Sequence, residues 1–273
     1  MLAAYFLVGA FFSVLTVSAL GLSFLPAIFP GILFAFLYTA ALLLLHALFL
    51  AIAALFVDGK PVEKDSAFFR WLTAFTIKVG LSLLRVSVKV TGSEKIPEGR
   101  FLLVQNHRSA FDPLISLLAL NAYQIGFITK PENMEIPVVG KFAHKICCLP
   151  IDRENPRNAM KTIREAAEFL ENGVCSIGLY PEGTRNSGNG LLPFHNGSMK
   201  IATKAGVPIV ISTISGTGEI KKNAPFRKTA VEIRICGVLS AEEVKSGSTG
   251  ALGDKVFCMM AKDLGYPVPD EEE

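Results

Sequence analysis

Residues 100–121 read RFLLVQNHRSAFDPLISLLALN. The apolar run predicts a strand over 100–105, and Asp112-Pro113 then opens a predicted helix over 113–121. Between them lies a short polar loop. The same alternation continues outward from this unit. RVSVKV (85–90) alternates polar and apolar side chains and reads as a strand. Further strands are expected near 125–129, 147–151, 174–180, 207–213 and 230–238, and helices near 157–171, 197–205 and 251–264. Strands alternating with helices predict an α/β class, with a mostly parallel sheet flanked by helices. No internal repeat or low-complexity linker interrupts it.

The charge distribution divides the 273-residue chain. Residues 1–57 hold no Asp, Glu, Lys or Arg, and all charge begins at Asp58. An uncharged stretch of this length is about twice what one bilayer crossing needs, roughly 20 residues. Pro26, Pro30 and Gly31 suggest a break near its middle. Two hydrophobic helices over 2–24 and 31–56, paired as a membrane hairpin, are therefore expected. A shallower re-entrant hairpin has the same hydropathy, whereas soluble core helices rarely run so far uncharged. A cleaved signal peptide is disfavoured, since no basic segment precedes the run. Lys60, Lys64 and Arg70 follow the second helix, while the turn carries no Lys or Arg. By the positive-inside rule, residues 58–273 form a cytoplasmic α/β domain.

Residues 66–84 (SAFFRWLTAFTIKVGLSLL) form a broadly apolar helix. A core helix and a helix lying on the membrane surface fit it equally by pattern; closeness to the hairpin favours the surface. The net charge is +3, and removing the four acidic side chains at Asp270 to Glu273 leaves +7. That balance suits an anionic leaflet or anionic substrates. Nucleic acid is not expected, because no Lys/Arg cluster with interleaved aromatics stands out. Five cysteines, with no Cys-x-x-Cys, argue against a disulfide framework. His144 near Cys147 and Cys148 reads better as a helix end and a buried strand than as a metal cluster, so no metal is expected.

Polar groups collect just after the predicted strands. They are Asn106 to Asp112, Lys130 with Glu132, Asp152 with Arg153, and Pro181-Glu182-Gly183-Thr184-Arg185. Ligands of open α/β sheets bind at the carboxyl ends of strands, so these groups make a site. His107 and Asp112 could pair, leaving one imidazole nitrogen as a base. A helix-capping Asp beside a surface His has the same spacing. Arg185 on a Gly-containing loop suits a phosphate, with Lys130 as a second cation; an internal Glu182–Arg185 ion pair is the alternative. No Gly-x-Ser-x-Gly, P-loop or Gly-x-Gly-x-x-Gly occurs.

Taken in order, NHRSAFD and YPEGTRN about seventy residues apart resemble the glycerolipid acyltransferase family, whose best-known members are lysophosphatidic acid (1-acyl-sn-glycerol-3-phosphate) acyltransferases. Its Asn-His-x4-Asp motif is matched by Asn106, His107 and Asp112. Its Phe-Pro-Glu-Gly-Thr-Arg motif is matched by Pro181 to Arg185, with Tyr180 in place of Phe. Phe127, Lys130, Glu132, Pro137, Gly140, Asp152 and Arg153 fall in the order of the intervening motif region, and Val207 to Val210 resemble the last motif. His195 and Asn196 stand where relatives often carry two basic residues, Pro131 follows Lys130, and Ile211 replaces a second Pro.

The resemblance implies transfer of a fatty acyl group from a thioester donor to the free hydroxyl of lysophosphatidic acid, giving phosphatidic acid, or to a different lysophospholipid or lyso-lipid acceptor by the same chemistry. His107 would be the base and Asp112 its partner. Arg185, with Lys130, would bind the acceptor phosphate, Glu182 would orient Arg185 or a glycerol hydroxyl, and Gly183 and Thr184 would belong to the substrate loop. Backbone N–H groups near 108–109 or 183–184 would hold the oxyanion. The co-substrate would be acyl-CoA or an acyl-carrier protein. No bound cofactor is implied, and membrane lipid would be the remaining partner.

Overall fold

The computed structural model describes residues 2–60 and 64–268; the acidic tail, Asp270 to Glu273, lies outside them. The chain divides into two compact units, Met1–Asp58 and Gly59–Glu273.

The first unit is a pair of helices, α1 (Leu2–Ala19) and α2 (Phe24–Leu55). At 1.5 Å per residue they extend about 27 Å and about 48 Å. Both are long and apolar enough to cross a membrane. Small and hydroxyl-bearing residues line their contact. The Ser13 hydroxyl donates to the Gly31 carbonyl at 2.5 Å, and Thr16 and Tyr38 share a hydrogen bond of 2.8 Å. A Cβ on Gly9 would lie 2.9 Å from the Ala35 carbonyl oxygen. The expected break at Pro26–Gly31 is absent; the turn falls at 20–23, and α2 runs through both prolines. Pro26 sits in the first turn, where backbone N–H groups have no intrahelical partner anyway. Pro30 removes one bond without ending the helix, as apolar helices tolerate.

The second unit is built on a seven-stranded sheet. Its strands are β1 (Val86–Thr91), β2 (Leu102–Gln105), β3 (Ile125–Thr129), β4 (Leu149–Pro150), β5 (Ser176–Leu179), β6 (Ile209–Ser215) and β7 (Thr229–Leu239). They lie in the order β1-β7-β6-β2-β5-β3-β4. Only the β6–β7 pair is antiparallel. The mostly parallel α/β architecture is therefore the one expected. Strands β2 and β5 are buried along their whole length, and β6 everywhere but its last residue. Such strands read as continuous apolar runs because helices cover both faces.

One face packs against α7 (Pro156–Glu171), α8 (Lys200–Ala205) and α11 (Thr249–Leu264), through Ile163, Phe169, Ile201 and Val256. The other packs against α3 (Ala67–Leu83) and α4 (Asp112–Ala119), through Ile77, Leu81, Ile115 and Leu117. The segment between β3 and β4 forms α5 (Pro131–Glu135) and α6 (Val139–Lys145). Two short helices complete the order, α9 (Ile220–Asn223) and α10 (Ala241–Ser246).

Helix α3 packs one face into the core and leaves aromatic side chains outside it. Leu72, Ile77, Val79 and Leu81 are buried, while Phe68 and Trp71 are more than half exposed. Arg70 is not a free surface cation. Its guanidinium pairs with Asp65, Nη1 donates to the Ile125 carbonyl at 3.1 Å, and Nη2 donates to the Ile146 carbonyl at 3.2 Å. A buried arginine so bonded ties the start of α3 to β3 and to the end of α6.

The strand expected over 147–151 contracts to two residues. Cys147 takes a left-handed φ of 61°, and the Cys148 N–H returns to the Ala143 carbonyl at 2.9 Å. Burial pushes the Cys148 thiol up to about 11, opposed by a hydrogen bond from the Phe127 N–H. A raised thiol pKa leaves roughly one thiolate in a thousand at pH 8, and the thiolate is the nucleophile. Cys148 should therefore resist iodoacetamide at pH 8 in the folded protein and react once denaturant is added, as peptide mass spectrometry would read. Rapid labelling of the native chain would contradict this burial.

Candidate active site

The site forms where β2 and β5 end side by side. Both run in the same direction, so the loops that follow them emerge at one edge. Asn106, just past β2, is buried and bonded to β6. Its Oδ1 accepts from the Ile214 N–H at 2.7 Å, and its Nδ2 donates to the Ile214 carbonyl at 3.0 Å. That two-point bond fixes the chain immediately before His107.

His107 is held on three sides. Its Nδ1 lies 2.8 Å from Asp112 Oδ2. Its ring stacks on Tyr180 with centroids 4.2 Å apart, and Tyr180 stacks in turn on Phe127 at 5.6 Å. Its backbone N–H donates to Glu182 Oε1 at 2.7 Å. The imidazole is 18% exposed, and Nε2 has no partner in the described chain. With Nδ1 facing a carboxylate, Nε2 is the nitrogen free to take a proton.

Asp112 is fully buried but does not cap α4. It occupies the helix's first residue, and its carboxylate turns backward into the loop. Oδ2 accepts from the Arg108 N–H at 2.6 Å and the Ser109 N–H at 2.7 Å, besides facing His107. One oxygen thus organises the whole His107–Ser109 turn. Oδ1 is buried with no hydrogen-bond partner. These bonds also withdraw the 108 and 109 N–H groups from any oxyanion role. The Gly183 N–H donates to the Tyr180 carbonyl at 3.1 Å, which leaves Thr184 as the one uncommitted donor of the four expected.

Glu182 does not orient Arg185. Oε1 takes the His107 N–H, while Oε2 accepts from the Leu192 N–H at 3.0 Å and Asn186 Nδ2 at 3.3 Å. It is a buried clamp joining the loops after β2 and β5. Asn186, not nominated from the sequence, strengthens that clamp: its N–H donates to the His107 carbonyl at 2.8 Å and its side chain to Gly190. Its only signal was its position directly after Arg185.

Thr184, Arg185 and Lys130 are exposed. Neither cation has a hydrogen bond or ion pair among the described residues, so both remain available to an anion. Asp152 serves the chain itself, accepting from the N–H groups of Glu154 and Asn155 and from Asn158 Nδ2. The Asn158 bond, with those of the backbone, lowers its pKa. Gly183 has a φ of 72°, and a Cβ there would meet the His195 ring at 2.7 Å and Arg153 Nη1 at 3.4 Å. Only glycine fits such a turn against two side chains. Arg153 and His195 thus flank the loop at Gly183. Arg153 is exposed and has no hydrogen bond or ion pair among the described residues; partial desolvation of its guanidinium lowers its pKa. An arginine in that condition is a ready anion ligand. Burial, then the Asp112 charge, raises the Tyr180 phenol well above its ordinary value, so it stays neutral under the imidazole.

The edge therefore presents one exposed imidazole nitrogen backed by a buried carboxylate, with free cations on adjoining loops. It can abstract a proton from a bound hydroxyl and hold an anionic group.

Comparison with known proteins is consistent with that chemistry. The profile of a family described as Acyltransferase matches residues 87–215. A chloroplast 1-acyl-sn-glycerol-3-phosphate acyltransferase from Brassica napus is 35% identical over 134 residues, 48% of this chain and 38% of the relative. An enzyme of the same name from Borreliella burgdorferi is 34% identical over 142 residues, 52% and 56% of the two chains. The matches span about half the length of these relatives. The crystal structure of the 1-acyl-sn-glycerophosphate acyltransferase PlsC from Thermotoga maritima superposes with a TM-score of 0.61 at 26% identity, covering 81% of this chain and 88% of that one.

Proposed function

We propose, from the premise that residues 87–215 are an acyltransferase-family domain, that this protein moves a fatty acyl group from a thioester to the free hydroxyl of lysophosphatidic acid, giving phosphatidic acid. The observation that carries the reading is the 2.8 Å contact of His107 Nδ1 with an Asp112 oxygen that two backbone N–H groups also hold. His107 Nε2 takes the hydroxyl proton as the acceptor oxygen attacks the thioester carbonyl. A C–O bond forms, the C–S bond breaks, and the proton passes from the imidazolium to the departing sulfur. Asp112 stabilises the imidazolium between those steps. A thiol pKa near 8.5 makes sulfur a far better leaving group than an alkoxide, so no covalent enzyme intermediate is needed. The uncommitted Thr184 N–H is the candidate oxyanion donor.

Arg185, Lys130 and Arg153 bind the acceptor phosphate. Arg185→Ala should raise the apparent KM for lysophosphatidic acid about 10- to 100-fold, the worth of one charge-assisted bond, with a smaller change in kcat. An unchanged KM would remove Arg185 from the phosphate site. The direct test of the activity supplies purified protein in detergent with acyl-CoA or acyl-carrier protein and a panel of lyso-acceptors. Phosphatidic acid formation is the expected result. Faster acylation of another lysophospholipid would assign the same chemistry to that acceptor, and no thioester consumption would overturn the reading.

Helices α1 and α2 anchor the protein in the membrane, with residues 58–273 on the cytoplasmic side. Apolar residues such as Phe24, Leu25 and Phe29 are more than three-quarters exposed on these helices, which suits lipid. Exposed Lys60 and Lys64 follow α2. The outward Phe68 and Trp71 of α3 would meet the interface, where aromatic rings are favoured.

A further inference from the structure

A second feature of the catalytic edge plays no part in the chemistry above. Strand β6 runs parallel to β2, so the loop after it, residues 216–228, leaves the sheet at the same edge as His107. The Asn106–Ile214 bonds join the two loop bases directly. This loop carries Lys221, Lys222, Arg227 and Lys228 against one carboxylate, Glu219, which pairs with Lys222 on the surface. At its tip Phe226 is 86% exposed. Arg85 extends the charge, since its carbonyl accepts the Thr229 N–H at 3.1 Å where β7 begins. It is the basic cluster with an interleaved aromatic that did not stand out in the sequence.

The loop's base is rigid although its tip is bare. Ile220 is fully buried, Asn223 Nδ2 donates to Thr229 Oγ1 at 3.1 Å, and the Arg227 N–H returns to the Asn223 carbonyl at 2.7 Å. A phenyl ring held out in water this way covers nothing within the protein. Lysines and arginines around it draw it to an anionic surface, and the ring gains by leaving water on arrival.

We propose that residues 221–228 are a docking loop for an anionic lipid surface, with Phe226 entering the headgroup–acyl boundary and the flanking cations meeting lipid phosphates. Lipid is favoured over an acidic protein because the tip is one protruding ring ringed by charge, not a patch or groove that a folded partner could cover.

The test uses the full chain in nanodiscs, with the single tryptophan removed and a reporter placed at the tip (Trp71→Phe with Phe226→Trp). In bilayers containing phosphatidylglycerol, lipids brominated near the headgroup should quench the reporter at least twofold more than in pure phosphatidylcholine. Adding Lys221→Gln, Lys222→Gln, Arg227→Gln and Lys228→Gln should abolish that difference, and so should 0.5 M salt. All the substituted loop side chains are exposed, and a thermal melt checks that the fold persists. Equal quenching in both lipids, or none in either, would overturn the proposal. Shielding that appears only on adding an acidic acyl-carrier protein would overturn it in favour of a protein partner. The readout needs no turnover, so it is independent of the acyl-transfer reading.

Discussion

Replacing His107 with alanine is expected to lower kcat for thioester-dependent acylation by about 10³- to 10⁴-fold while the protein stays folded. Among the described residues at the edge, the ring alone has both an unpartnered basic nitrogen and a buried carboxylate behind it. A hydroxyl at neutral pH is a poor nucleophile, so losing the base leaves only positioning and charge stabilisation. Folding should survive, because the loop is held by Asn106, Glu182 and Asn186 through atoms other than the imidazole. The lost stack on Tyr180 is worth about 0.5–1.5 kcal/mol. Purified variant and parent would be compared for phosphatidic acid formation and for thermal melting. Activity within tenfold of the parent would exclude His107 as the base.

Two substitutions of Asp112 should separate its two roles. Alanine removes the acceptor of two backbone N–H groups and of His107 together. Stranding buried donors costs about 1–3 kcal/mol each, so a loss near 3 kcal/mol or more is expected in chemical denaturation. Activity should fall as far as with His107→Ala. Asparagine is different, because only Oδ2 of the carboxylate is used. Its amide oxygen must take the Oδ2 place, since an NH2 there would face three donors. The loop and the imidazole tautomer then persist, and only the charge is lost. Asp112→Asn should keep most of the stability and lose about 10²-fold in kcat. Full activity in that variant would mean the negative charge does nothing for the imidazolium.

Part of the site is legible in the amino-acid sequence. Spacing placed His107 and Asp112 within reach of one another but could not choose between a pair and a helix cap. In the fold, Asp112 turns back toward the loop and bonds to residues 107–109. The sequence offers Arg185 or a glycerol hydroxyl as the partner of Glu182, whereas its carboxylate accepts from His107, Leu192 and Asn186, because its contacts depend on strand neighbours. Only once β5 lies beside β2 does a carboxylate 75 residues away become the acceptor of the His107 N–H. Arg153 appeared in motif order, yet its approach to Gly183 requires the sheet to bring the loops after β4 and β5 together. In one dimension Arg70 reads as one of the cations that follow the second helix; in three it is a buried tie.

What the amino-acid order determined alone was the part governed by local periodicity and composition. Charge-free residues 1–57 had to be helical and apolar, and the alternation beyond them had to build a largely parallel α/β sheet. Strand order, by contrast, was decided only by tertiary packing, because register and neighbour choice depend on burying whole faces rather than on any segment's own pattern. Every contact that spans strands followed from it: the clamp at Glu182, the bare Nε2 of His107 and the protruding Phe226 all exist because β5, β2 and β6 end side by side.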